Sequence, residues 1–132
     1  MSETAIDVQE FNIALTCSDI QKSIHFYTVG LGLEIVRTVE NEGKVQFVML
    51  KAGPAQIGLG QDDFAKGKDR SKGAGLRVWL NTTQDIVGLA NRATAAGLKL
   101  DGAPEPLPWG SMGFQLTDPD GFKLTVSNPR GK

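Results

Sequence analysis

The same order of elements runs through this chain twice, and that repeat limits the available folds more than any other feature. In the first half Phe11, Ile13 and Leu15 alternate with Asn12, Ala14 and Thr16, the period-2 pattern of a half-buried strand. Ser18 or Asp19 offers an N-cap oxygen to a helix over 20–29, where Ile20, Ile24, Phe26 and Tyr27 fall at helical spacing. Gly30 and Gly32 stop it. Strands are predicted over 33–39, 44–50 and 55–59, divided by turns at Asn41-Glu42-Gly43 and Gly53-Pro54. After a polar stretch the order restarts. A strand over 75–80 is followed by a helix over 84–96, capped by Thr82 or Thr83 and ended by Gly97. A short strand at 98–100, a proline-rich bend and two strands over 111–117 and 122–127 complete the second half.

The offset is roughly 65 residues. Gly32-Leu33-Glu34-Ile35 corresponds to Gly97-Leu98-Lys99-Leu100, and Ile57-Gly58-Leu59 to Leu124-Thr125-Val126. A repeat this long is a duplicated supersecondary unit and not a solenoid. The expected fold is α+β: two βαβββ modules forming a curved, mostly antiparallel sheet, helices on one side and a concave pocket on the other. The 132 residues suit one domain. Module one spans about 10–60, a linker loop 61–73 and module two about 74–128.

Several classes of function fall away by inventory. Fourteen basic against fifteen acidic residues, net charge -1, lack the basic excess of a nucleic-acid surface (Lys+Arg 14, Asp+Glu 15). No apolar run approaches the ~20 residues of a membrane span, and the acidic, polar Met1-Ser2-Glu3-Thr4 is no secretory signal. A cytoplasmic location is expected. Cys17, the single cysteine, reads as a buried, inert thiol, and His25, the single histidine, as a helix-surface imidazole. Ser111 and Ser127 therefore lack a histidine base for a hydrolase triad. Gly30-Leu31-Gly32 follows a helix and does not open one, so it is no phosphate loop.

Three motifs carry a resemblance. Ser18-Asp19-Ile20-Gln21-Lys22-Ser23-Ile24-His25-Phe26-Tyr27, stopped by Val29-Gly30-Leu31-Gly32, is the first. Trp109-Gly110 and Asp118-Pro119-Asp120-Gly121-Phe122 are the others. In this order and with the duplication, the chain resembles the vicinal-oxygen-chelate superfamily of glyoxalases, bleomycin-resistance proteins and dioxygenases. The resemblance implies an active site on the concave sheet and one metal ligand, usually His, Glu or Gln, on each of four strands. By position those ligands would be Asn12, Gly58, Gly75 or its neighbour, and Thr125. None suits a divalent transition metal. No metal and no cofactor are expected, and no catalytic residue is identified. Asp101 and Glu105, near the rim, are the only weak acid/base candidates.

If the alternating apolar residues, Phe11 and Leu76 among them, pack on the helices, the concave face carries Asn12, Gln56, Arg77, Trp79, Gln115 and Thr125. Glycines at 58 and 75 leave room there. With Trp109 these are the expected ligand-binding residues: Trp79 to stack on a planar molecule, Arg77 to pair with an anionic group. The expected function is metal-independent binding of a planar, polar or anionic small molecule by a homodimer. Two alternatives stand beside it. One is a glyoxalase-, isomerase- or dioxygenase-type enzyme with a divergent active site, and the other a structural dimer without ligand.

Overall fold

A computed structural model describes residues 5–68, 70–108 and 110–129. In module one, strand β1 (Asn12–Cys17) leads into helix α1 (Ile20–His25). A π-helical turn (Phe26–Gly30) continues it, and β2 (Glu34–Asn41), β3 (Lys44–Ala52) and β4 (Ala55–Gln61) follow. Module two repeats the order with β5 (Arg77–Asn81), α2 (Ile86–Ala95), β6 (Leu100–Pro106), β7 (Met112–Thr117) and β8 (Lys123–Ser127). Each module is a four-stranded mixed sheet, β1-β4-β3-β2 in one and β5-β8-β7-β6 in the other. In both, the first and last strands run parallel and the remaining pairs antiparallel. This is the α+β fold of duplicated βαβββ modules that the repeat predicts.

Local chemistry sets the helix ends. Asp19 caps α1, its carboxylate accepting from the Gln21 and Lys22 N–H groups. In α2 the cap is Asp85, accepting from Gly88, and not Thr82 or Thr83. Thr82 instead accepts from the Gln84 N–H in a local turn, which delays the helix. At its far end Leu98 donates to Ala93 and Gly97 to Thr94, with Gly97 at φ +92°, a Schellman closure. Two expected inward residues are not inward. Phe11 precedes the β1–β4 ladder, which begins at the Asn12–Gln56 pair, and is 79% exposed. Leu76 likewise precedes β5 and is exposed. The proline-rich segment is strand: Pro104 and Pro106 lie in β6, an edge strand, where a missing N–H is tolerated.

The modules share one core. Leu15, Val48, Leu50, Ile57 and Leu59 of the first sheet and Val78, Phe114, Leu116, Leu124 and Val126 of the second are buried with Phe26, Tyr27, Ile86 and Ala90. The junction runs through helices, helix ends and the β7–β8 turn. The Tyr27 hydroxyl donates to Asp118 at 2.7 Å, and the Ser18 N–H donates to Asp120 at 2.8 Å. Arg92 Nε donates to the Val29 carbonyl at 3.3 Å. The linker crosses the turn closely: a Cβ on Gly73 would fall on the Gly121 carbonyl. No strand of one sheet pairs with a strand of the other among the described residues. The face of each sheet away from the helices is open in the chain: Asn12 and Ala14 on module one and Arg77, Trp79 and Lys123 on module two are exposed.

Candidate functional site

The registers place equivalent rows of side chains on the two open faces. On module one the rows are Asn12, Gln56 and Lys51; Ala14, Gly58 and Met49; Thr16, Gly60 and Phe47. On module two they are Arg77, Lys123 and Thr117; Trp79, Thr125 and Gln115; Asn81, Ser127 and Gly113. Polar Asn12 and Gln56 thus correspond to cationic Arg77 and Lys123. Small Ala14 and Gly58 correspond to Trp79 and Thr125.

The second face is a connected polar surface. Arg77 Nη1 donates to the Thr125 hydroxyl at 3.0 Å, and Thr125 is 1% exposed. The Trp79 indole N–H donates to Ser127 at 3.2 Å, and Ser127 donates on to Asn81 at 2.9 Å. Trp79 remains 48% exposed. Arg77 and Lys123 are paired neighbours on β5 and β8, so two exposed cations stand side by side on this face. Gln115, paired with Thr125, is half-buried beside them.

The first face is arranged differently. Phe47 leans over Gly58, where an added Cβ would lie 2.7 Å from its ring, and Met49 is the residue paired with that glycine. The space expected at Gly58 is therefore filled by Phe47. Asn12 is exposed and donates to Glu10 at 3.1 Å, and Gln56 is half-buried. Lys123, which alternation also puts on the second face, Phe47, Asn81 and Ser127 stand beside the expected ligand-binding residues. Strand alternation alone places Phe47 and Met49 opposite buried Val48 and Leu50. The structure groups Arg77, Trp79, Gln115 and Thr125 on one face and Asn12 and Gln56 on the other. Trp109 lies outside the described residues.

The residues at the four family metal positions do not fit a metal. A phenyl ring covers Gly58, and Gly75 has no neighbour within reach of a Cβ. Thr125 is shut beneath a guanidinium, itself a cation that repels a metal ion. Among the described residues no cluster of three His, Cys, Asp or Glu side chains is placed to hold one. Asp101 is exposed on edge strand β6 and accepts from Thr117 at 2.5 Å, and Glu105 is exposed on the same strand. Burial pushes the Cys17 thiol up to about 11, so it stays protonated, and His25 faces the Ala96 carbonyl at 3.1 Å on the helix side.

Residues 11–126 match the family described as the Glyoxalase/Bleomycin resistance protein/Dioxygenase superfamily. Among solved structures, TioX from Micromonospora sp. ML1 has a TM-score of 0.75 at 16% identity, covering 92% of this chain and 98% of that one. A member of the same superfamily from Sphaerobacter thermophilus has a TM-score of 0.69 at 25% identity, covering 92% and 98%. A glyoxalase-related enzyme from Fulvimarina pelagi has a TM-score of 0.70 at 18% identity, covering 95% and 96%. No curated protein matches the chain.

Proposed function

We propose that this chain, which belongs to the Glyoxalase/Bleomycin resistance protein/Dioxygenase superfamily, is a metal-independent binder of a planar organic anion. The observation that carries the reading is the Arg77 guanidinium seated on the buried Thr125 hydroxyl. A guanidinium held in advance binds a carboxylate at a smaller entropic cost than a free one. Lys123 beside it adds to the positive potential, and exposed Trp79 offers a ring face for stacking.

In this reading a second copy closes the cleft, since no strand of one sheet pairs with a strand of the other among the described residues. In the proposed homodimer the Phe47 and Met49 face of one copy lies opposite the Arg77 and Trp79 face of the other. Exposed Ile35, Val36 and Val39 on β2, an edge strand, supply apolar surface for such contact. No helix among the described residues is long and apolar enough to cross a membrane. The proposed setting is the cytoplasm.

The test is calorimetric titration with 1-naphthoate and its uncharged amide, alongside sedimentation. Naphthoate binds more tightly than the amide, and Arg77→Met weakens naphthoate at least tenfold while the dimer persists, since a charge-assisted hydrogen bond contributes about 1.5–3 kcal/mol. Equal affinity for acid and amide, or a purely monomeric protein at micromolar concentration, defeats the reading.

A further inference from the structure

We propose a second small-molecule site, bordering the open faces: the groove between the modules binds an apolar carboxylate through Arg92. The groove encloses about 650 Å³, within the range of ligand pockets. Module one bounds it with Leu33 and the β3–β4 turn, and module two with β5, an edge strand, and with α2. Its apolar lining includes buried Leu33 and Val126 and half-buried Leu80 and Leu89. Leu80 and Val126 are oriented toward the helix side of their sheet, opposite the neighbours Trp79, Thr125 and Ser127. Trp79 stands where the groove meets the open face.

Arg92 is built into this groove. Its Nε donates to the Val29 carbonyl, and its guanidinium lies on the backbone of Gly32. An added Cβ at Gly32 would lie 3.3 Å from Cζ and 3.5 Å from each terminal nitrogen. Gly32 adopts φ +85°, a conformation other residues resist, so the seat for the guanidinium is a property of the backbone. With Nε engaged, the two terminal amino groups have no hydrogen-bond partner among the described residues. They form the planar fork that receives a carboxylate with two parallel bonds. Lys51 also lines the groove, against one acid, Glu34, leaving the lining cationic by one charge. One net cation above an apolar floor matches one carboxylate on an apolar body.

This site does not rest on the Arg77 reading, and the tests separate them. Octanoate is titrated while the Leu33, Leu89 and Val126 methyl resonances are followed, with octanamide as uncharged control. Octanoate gives saturable shifts at these methyls; octanamide and the Arg92→Met protein each require at least tenfold more ligand. Arg77→Met leaves octanoate binding unchanged. If Arg92→Met fails to fold, Arg92→Lys, which keeps the charge and loses the fork, weakens octanoate by severalfold, and the amide comparison stands on the unaltered protein. Equal binding of acid and amide, or no shift at the groove methyls up to millimolar octanoate, overturns the site. So do contacts from Ile6 or Val8 to those methyls in the ligand-free protein, which would show the chain itself filling the groove.

Discussion

The two modules carry the same sheet order and equivalent registers across β1–β4–β3 and β5–β8–β7, yet they have diverged elsewhere, most plainly in two places. Module one turns from β3 to β4 through an exposed Gly53-Pro54, whereas module two turns through Asp118, which is buried against Tyr27 of the other module. Module one's open face is capped by Phe47 over a glycine, whereas module two's is a hydrogen-bonded network built around Arg77 and Trp79. Duplication supplied one scaffold twice. Divergence left one copy with the docking turn and the hydrogen-bonded network around Arg77 and Trp79, and the other with Phe47 over Gly58.

The turns give the largest contrast. The Asp118 carboxylate accepts the Tyr27 hydroxyl at 2.7 Å and the Asp120 and Phe122 N–H groups at 2.8 and 2.9 Å. Removing it strands three donors at a buried junction, each costing about 1–3 kcal/mol. Asp118→Ala is expected to destabilise by about 3 kcal/mol or more. Pro54→Ala, in the exposed counterpart, stays within about 0.5 kcal/mol. Urea denaturation of the two variants measures both, and comparable losses would remove the asymmetry between the turns.

The same asymmetry governs what the sequence makes legible. Element order and the polar face around Arg77 follow from alternation and punctuation, because period-2 patterning decides which face a strand residue takes. Phe11 and Leu76 defeat the same rule, since each stands one residue before its ladder begins. The filling of the Gly58 space by Phe47 depends on a side chain leaning along its strand pair, which alternation does not report. The groove at Arg92 joins residues from β2, β3, β4, β5, α2 and β8 around a positive-φ glycine, and no local pattern announces it.

Two glycines on the open faces sharpen the comparison at smaller magnitude. At Gly58 an added methyl meets the Phe47 ring at 2.7 Å, the far end of a side chain that can swing away. At Gly113 it meets Leu107 at 2.7 Å but also the Ser127 Cβ and the Val126 carbonyl at 3.0 Å, which cannot. Gly113→Ala is expected to cost about 2 kcal/mol and Gly58→Ala under about 1 kcal/mol, the usual span for overpacking. Gly58→Ala alone increases the solvent exposure of the Phe47 ring, visible in its NMR shifts. An equal loss at both positions would mean that Phe47 is as fixed as backbone.

The smallest effect is in pH, and it sets two buried carboxylates against each other. Desolvation pushes Asp118 above its ordinary value of 3.8, outweighing the hydrogen bonds from Tyr27, Phe122 and Asp120 that pull it down. At Asp62 in the linker, desolvation also pushes up, but the Phe64 N–H, Lys72 and Arg70 prevail and the carboxyl lies below 3.8. The Lys72 ammonium stands 3.2 Å from it. A raised folded value means the fold favours the protonated acid, so the Asp118 contribution is fully present below 3.8 and is lost as pH rises through the raised value. A lowered one means the reverse, so the Asp62 contribution is present above 3.8 and is lost as pH falls through the depressed value. Stability of the unaltered protein relative to Asp118→Asn should therefore improve as pH falls from 7 towards 4. Relative to Asp62→Asn it should decline as pH falls from about 5 to below 3.8. The Asp118 slope cannot exceed about 1.4 kcal/mol per pH unit, the limit for one proton. Urea midpoints for the three proteins at half-unit steps decide it: slopes of the same sign, or no slope in either pair, would show that the module-two turn and the linker do not shift their carboxyls in opposite directions.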